Sequence, residues 1–224
     1  MMPNYPQSDR IRQLFTQGQL LTYGKGNIIL GNEETANGVY YISTGYVKIY
    51  SISDSGSQLL HIIYGPCELF PLVWAYLGAE RDLVFYEALS ECTLWRISRA
   101  WFLRWIKSDL ALCYAVSMQL AQQFRFYSDR VDNLEYKKAS DRVAYRLLYL
   151  ASRFGVKTKD GTTIQPILTH DVLASSINLA RESFSREIEK LEKSNVIQSI
   201  NHQIVIPDIE TLAKRISRPS SFDA

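Results

Sequence analysis

The chain has 224 residues, 46% of them apolar and 21% charged, with 11 Gly and 7 Pro. That is ordinary globular composition, which excludes a disordered, collagen-like or low-complexity chain. The formal charge of +2 is unevenly placed: residues 1–136 hold 11 basic and 13 acidic side chains, residues 137–224 hold 14 and 10, so the C-terminal part is the one suited to a polyanion partner.

Three cysteines, Cys67, Cys92 and Cys113, without a CxxC pair, argue for a reducing compartment rather than a disulfide framework. The start, Met1 to Pro6, lacks a basic segment leading into an apolar one, so no secretory signal is expected. The longest apolar run, Leu69 to Leu77, is interrupted by Pro71 and is far too short to cross a bilayer. A cytoplasmic protein with no membrane partner is expected, folded as one large domain or two modest ones.

From Gln19 to about Ile97, short apolar segments alternate with turn signals. Ile28–Leu30 precedes Gly31-Asn32, Val39–Ile42 precedes Ser43-Thr44-Gly45, Val47–Tyr50 precedes Asp54-Ser55-Gly56, and Leu59–Ile63 precedes Gly65-Pro66. Two more segments, near Leu83–Ala88 and Thr93–Ile97, flank Ser90-Glu91. Enrichment in Ile, Val and Tyr between such turns predicts an antiparallel β barrel or sandwich.

The period then changes. No Gly or Pro occurs from Asp109 to Tyr136, and Leu120, Phe124, Tyr127, Val131 and Leu134 recur at steps of 4, 3, 4 and 3. That is the spacing of a coiled-coil seam between two copies, the alternative being a long helix packed on its own domain. A second helix is predicted over Lys137–Phe154, closed by Gly155 as a C-terminal cap. A polar turn, Lys157–Thr163, follows. Thr169 then reads as the N-cap of a helix over His170–Ser176, with Asp171 in its first turn. Asn178 sits in a turn, and a helix runs from about Ala180 to Lys193. Val196–Ile200 and Gln203–Ile206, around Asn201-His202, read as a hairpin. Helix, turn, helix, hairpin is a winged helix-turn-helix.

On the helix after the turn, Phe184, Ile188 and Leu191 should face the core. Arg181, Glu182, Ser185, Arg186 and Glu189 lie on a separate face, with Arg181 and Glu182 in the first turn, the part of a recognition helix that reaches base edges. A guanidinium can donate two hydrogen bonds to guanine, a carboxylate can accept from cytosine, and a serine can serve either a base or a phosphate. The simpler alternative is a solvated face in which Glu182 and Arg186 pair at i, i+4.

At this point a family resemblance emerges. "LTHDVLASSINLARESFSREIEKLEKSNVIQSINHQIVIPDIETL" resembles the winged helix-turn-helix of the Crp/Fnr superfamily of bacterial transcription regulators. "YKKASDRVAYRLLYLASRFG" is similar to the hinge and next helix of those proteins, and "GVYYISTGYVKIYSISDSGSQLLHIIYGP" to the front half of their β-roll. The match runs over about residues 20–216 in the expected order. It implies an α+β chain: an N-terminal antiparallel β-roll, like a cyclic-nucleotide-binding domain, over 1–108, a dimerisation helix over 109–136 and a winged helix-turn-helix over 137–224. It further implies a homodimer on a palindromic double-stranded DNA site, under an unknown small-molecule effector. Arg181, Glu182, Ser185, Arg186 and Thr169 are the candidate DNA contacts, with half-sites of the TGTGA or TTGAT kind. The Val156–Thr163 turn matches a loop that touches RNA polymerase in some members; a plain surface loop is the simpler reading.

The resemblance weakens where an effector would bind. Cyclic-nucleotide-binding members carry Gly-Glu and then Arg-Ser or Arg-Thr in a phosphate-binding cassette, and the corresponding residues here are Pro71-Leu72 and Asp82-Leu83, with Arg81 one position away. The sensor is therefore expected to lack the cyclic-nucleotide signature, and with no Cys before Cys67 it lacks the iron–sulfur one too. His61 with Cys67 is the one candidate haem pair, and Cys92 with Cys113 the one candidate redox pair; no metal site or cofactor is expected. Phe70, Leu72, Trp74, Arg81 and Phe85 are the effector-pocket candidates, the alternatives being plain core or a pocket filled by its own side chains in a constitutively active regulator. A β-roll protein with only weak, sequence-blind DNA binding is the other functional class. The three His, at 61, 170 and 202, are scattered and no catalytic constellation occurs, so no enzyme is expected.

Overall fold

The structure, a computed structural model, describes residues 8–31, 36–54, 56–78, 84–134, 136 and 138–216, with the backbone alone at 8, 129, 130 and 132–134. The chain divides into two compact units between Phe124 and Arg125.

The first unit opens with α1 (Ser8–Phe15) and continues with β1 (Gln19–Tyr23), β2 (Ile28–Leu30), β3 (Val39–Thr44), β4 (Val47–Ile52), β5 (Gln58–Tyr64) and β6 (Leu69–Phe70). Then come α2 (Leu72–Leu77), β7 (Phe85–Ala88), β8 (Cys92–Ile97), α3 (Arg99–Ser108) and α4 (Leu110–Leu134). The strands form two four-stranded sheets, β1-β8-β3-β6 and β2-β7-β4-β5, with every pairing antiparallel. Gly45 allows the tight β3–β4 turn: its φ is +89°, and a Cβ there would lie 2.2 Å from the Glu91 carbonyl oxygen.

Four successive residues of β4, Val47 to Tyr50, are all buried. A strand covered on both faces must pair any charge it carries. Lys48 does so: it stands opposite Glu87 in the β4–β7 ladder, and its Nζ lies 3.1 Å from the Glu87 carboxylate. The core joining sheet to helices contains Phe15, Val39, Tyr41, Leu69, Leu72, Phe102, Leu112 and Val116. Caps explain the sharp passage from α3 to α4. Ser98 accepts from the Trp101 N–H at the start of α3, and Asp109 accepts from the Ala111 and Leu112 N–H groups to start α4. Asp109 also meets Arg10 of α1 at 2.7 Å.

The second unit holds the end of α4, then α5 (Ala139–Phe154), β9 (Gly155–Thr158), β10 (Gly161–Ile164), α6 (His170–Ser175), α7 (Arg181–Lys193), β11 (Gln198–Ile200), β12 (Gln203–Ile206) and α8 (Ile209–Ala213). Its sheet runs β11-β12-β10-β9. One local expectation needs correction. The polar turn over Lys157–Thr163 is a hairpin, because Thr162 and Thr163 pair with Ile206 and Val205 of the wing and with Lys157 and Val156 of β9. Gly155 caps α5 as expected, in an extended conformation; glycine is needed because a Cβ would lie 2.2 Å from the Ala151 carbonyl oxygen. Asn178 does adopt positive φ, as do Asn201 and His202 at the wing tip.

One polar contact ties α4 to the sheet. Gln119 is 4% exposed, its Nε2 donates to the Leu69 carbonyl at 2.7 Å, and its Oε1 accepts from the Leu69 N–H at 3.0 Å. Gln119→Ala leaves both backbone groups of Leu69 unpaired in the interior, so urea unfolding should show a loss of about 1–3 kcal/mol. An unchanged unfolding midpoint would mean that water replaces the amide.

Candidate nucleic-acid interface and sensor interior

The helix pair of the second unit is built on Leu173, Phe184, Ile188 and Leu191, all buried. Thr169 caps α6, its Oγ1 accepting from the Val172 N–H at 3.3 Å, so its hydroxyl proton remains available to an acceptor. Arg142 of α5 secures the turn by donating to the carbonyls of Ile177 and Asn178 at 3.2 and 3.3 Å. Ala180, which precedes α7, has no side chain to cap it. The first-turn N–H groups of α7 thus face outward at the positive end of a helix, an arrangement suited to phosphate.

Arg181, Glu182 and Arg186 are exposed, and Ser185 is half-buried. The ion pairs of α7 lie elsewhere: Glu187 with Lys190 at 2.6 Å and Glu189 with Lys193 at 3.9 Å. Glu182 and Arg186 form no ion pair with each other among the described residues. Arg181 comes within 3.7 Å of Asp171, but both side chains are 65% exposed, so this contact is weak and easily exchanged. Four of the five sequence candidates therefore share one face of α7, with Thr169 at the neighbouring helix start. Sequence reasoning missed His170. Its Nδ1 lies 2.8 Å from the Ser185 Oγ, and its ring meets Phe184 edge-on at 5.4 Å. The only trace in the sequence is its place directly after the cap Thr169.

In the first unit, aromatic rings from both sheets cluster together. Phe70, fully buried, stacks on Tyr40 at 5.1 Å, on Tyr86 at 5.3 Å and on Tyr64 at 5.8 Å. Leu72 packs in the core with Tyr41, Phe102 and Leu112. Trp74 lies half-buried against that core with the Arg99 guanidinium 5.9 Å above its ring. Phe85 stacks instead on Tyr50 at 5.3 Å, in the register that also pairs Lys48 with Glu87. Burial first, then the hydrogen bond to Glu87 and its charge, push the Tyr50 hydroxyl up to about 12. Of the five pocket candidates, Phe70 and Leu72 are buried, Trp74 and Phe85 have different neighbours, and Arg81 lies outside the described residues, as do Asp82 and Leu83.

His61 has an ordinary partner, its Nε2 lying 2.9 Å from the Ser51 Oγ. Cys92 donates to the Tyr46 carbonyl at 3.2 Å, and burial pushes its thiol up, the opposite of what a reactive thiolate requires. Along α4, Leu120 is half-buried against the β-roll core, while Phe124 is 74%, Val131 64% and Tyr127 44% exposed. The Leu134 side chain lies outside the described residues. Leu110 and Tyr114, absent from the sequence-derived seam, are exposed as well.

Comparison with known proteins follows the same division. Residues 20–109 match the cyclic nucleotide-binding domain, and residues 141–215 match the Crp-like helix-turn-helix domain. The chain belongs to the Crp/Fnr family of transcription regulators. The CRP-like cAMP-activated global transcriptional regulator of Mycobacterium tuberculosis is 24% identical over 205 residues, 92% of this chain and 91% of that one. FixK2 of Bradyrhizobium japonicum shares the fold with a TM-score of 0.77 at 20% identity, covering 91% of this chain and 99% of its own. The c-di-GMP responsive regulator CLP of Xanthomonas campestris does so with a TM-score of 0.73 at 18% identity, covering 90% and 99%. The expectation of a sensor without the cyclic-nucleotide signature is thereby corrected. The departures at Pro71 and Leu72 are local, and the strand and turn pattern over 20–109 carries the domain. No helix among the described residues is long and apolar enough to cross a membrane.

The cap geometry yields a stability test. Thr169→Ala should cost about 1 kcal/mol, read as a lowered thermal midpoint, since the Val172 N–H loses its acceptor. Thr169→Ser should restore most of it, and equal midpoints for all three proteins would exclude a capping role.

Proposed function

We propose that this DNA-binding regulator acts as a homodimer on a two-fold symmetric site, reading bases with Arg181, Glu182, Ser185 and Arg186 and touching the backbone through Thr169. The observation that carries this reading is the face of α7. Glu182 and Arg186 stay exposed and form no ion pair among the described residues, although the same helix forms ion pairs one turn further on. An unneutralised acid at a DNA-facing helix start is costly near phosphates unless it accepts from a base, and cytosine N4 offers that donor. The functional division follows as 1–108 for sensing, 109–136 for dimerisation and 137–224 for DNA binding. The second copy would cover Phe124, Tyr127 and Val131, with Leu120 and Leu134 completing the seam. The exposed hairpin around Lys157 and Lys159 is the surface offered to RNA polymerase.

For the effector, the supporting observation is the stack on Phe70. Its rings stack on residues of both sheets, where a ligand within the β-roll would need room. Two relatives named above respond to different nucleotides by their names, so the fold does not prescribe one. We read the chain as competent for DNA without cyclic AMP, either constitutively or under another small molecule.

Selection of bound duplexes from a random pool, with purified protein, no added effector and near-physiological salt, tests the reading. A motif with two symmetric half-sites about one helical turn apart is expected. Salt-sensitive binding with no enriched sequence would overturn constitutive competence, leaving either a required effector other than cyclic AMP or a helix that no longer reads bases. On the selected site, Arg181→Ala and Arg186→Ala should each cost about 1–3 kcal/mol and relax choice at one base pair. The oligomer has its own test: Phe124→Glu with Val131→Glu should shift the sedimenting species from dimer to monomer, and a wild-type monomer at micromolar concentration would refute the seam.

A further inference from the structure

The contact between His170 and Ser185 has no part in the reading above, although it lies inside the proposed recognition surface. Ser185 is on the same face of α7 as Arg181 and beside Arg186. Its hydroxyl is held at 2.8 Å by Nδ1 of His170, the first residue of α6. The imidazole is itself held, since its ring packs edge-on against Phe184, which is fully buried. A serine hydroxyl has one proton and two lone pairs and rotates freely, so an unheld serine serves donors and acceptors alike. A fixed partner removes that freedom. If Nδ1 accepts the serine proton, only lone pairs face outward, toward the amino groups of cytosine or adenine. If Nδ1 carries the proton, one lone pair is taken and the serine still faces outward with its proton and a second lone pair, so the tautomer with Nδ1 as acceptor is the one that makes the contact selective.

We propose that His170 is a positioning residue for base readout: by fixing the sense of the Ser185 hydroxyl it turns an indiscriminate contact into a selective one. This rests on the assignment of α7 as the reading helix. The first helix of the pair would then contribute to sequence choice without touching a base.

The test is quantitative binding to the selected duplex and to its single-base variants by the wild type, His170→Ala, His170→Asn, His170→Gln, Ser185→Ala and the double variant His170→Ala with Ser185→Ala. His170→Ala should lower the preference at one half-site position by about two- to tenfold, the range of one hydrogen bond. That position should be the one altered by Ser185→Ala, and the double variant should add nothing. Asparagine, whose amide can occupy the place of Nδ1, should retain the preference; glutamine, whose amide reaches further, should not. Should His170→Ala fail to fold, the contrast between asparagine and glutamine decides. Uniform weakening across all duplexes would assign His170 to packing alone and overturn the proposal, as would a preference untouched by Ser185→Ala. If Arg181→Ala and Arg186→Ala also leave the motif unchanged, the reading helix itself is misassigned, a result distinct from failure of the histidine contact alone.

Discussion

A 25-residue helix with apolar side chains on more than one face can bury only one of them against its own β-roll, and α4 is such a helix. Leu112, Ala115 and Val116 enter the core of the first unit, and Gln119 continues that face with its clamp on Leu69. Leu110, Tyr114, Phe124 and Val131 are left facing water. Exposed apolar area costs roughly 25 cal/mol per Å² relative to burial, and an ordered row of it on a helix is a surface awaiting a partner. The clamp fixes which face that is. A backbone pair satisfied by one side-chain amide tolerates neither rotation nor sliding of the helix without leaving polar groups unpaired, so the position of the open row is set by a contact on the opposite side.

The same logic of occupied space governs the sensor interior. Three tyrosines stacked about Phe70 fill a volume that a ligand would otherwise have to share, and close-packed interiors do not yield room without loss of contacts. This stack is why the proposed regulator is read as needing no cyclic AMP for DNA competence. Where sensing would act on α4, the connection is short: Leu69, held by Gln119, immediately precedes Phe70 in β6.

What the sequence revealed follows from the range of each interaction. The period of α4, the cap at Thr169 and the exposed face of α7 are local patterns, and each was legible within one or two helical turns. The β9–β10 hairpin was read as a turn because its strands are only four residues each, and much of their stabilisation comes from pairing with β12, some forty residues away. On α4, periodicity names apolar positions without saying which neighbour takes them: Leu120 of the periodic row also leans on the β-roll, whereas Leu110 and Tyr114, outside that row, are exposed. His170 was passed over for the same reason, since a contact spanning 15 residues has no local signature.

The recognition unit shows how few such long-range contacts suffice to orient a reading surface. Arg142 holds the turn from α5, Phe184 and Leu173 set the depth of α7, and Thr169 fixes where α6 starts. With those positions set, the residue after the cap falls beside the second turn of α7, where a histidine reaches Ser185. Arg181 is handled differently: its only ion pair among the described residues is a loose one with Asp171, so it can leave that contact for a base at small cost. One face thus combines a restrained hydroxyl with an unrestrained guanidinium. In the proposed complex the first supplies selectivity at close range, and the second supplies reach and charge.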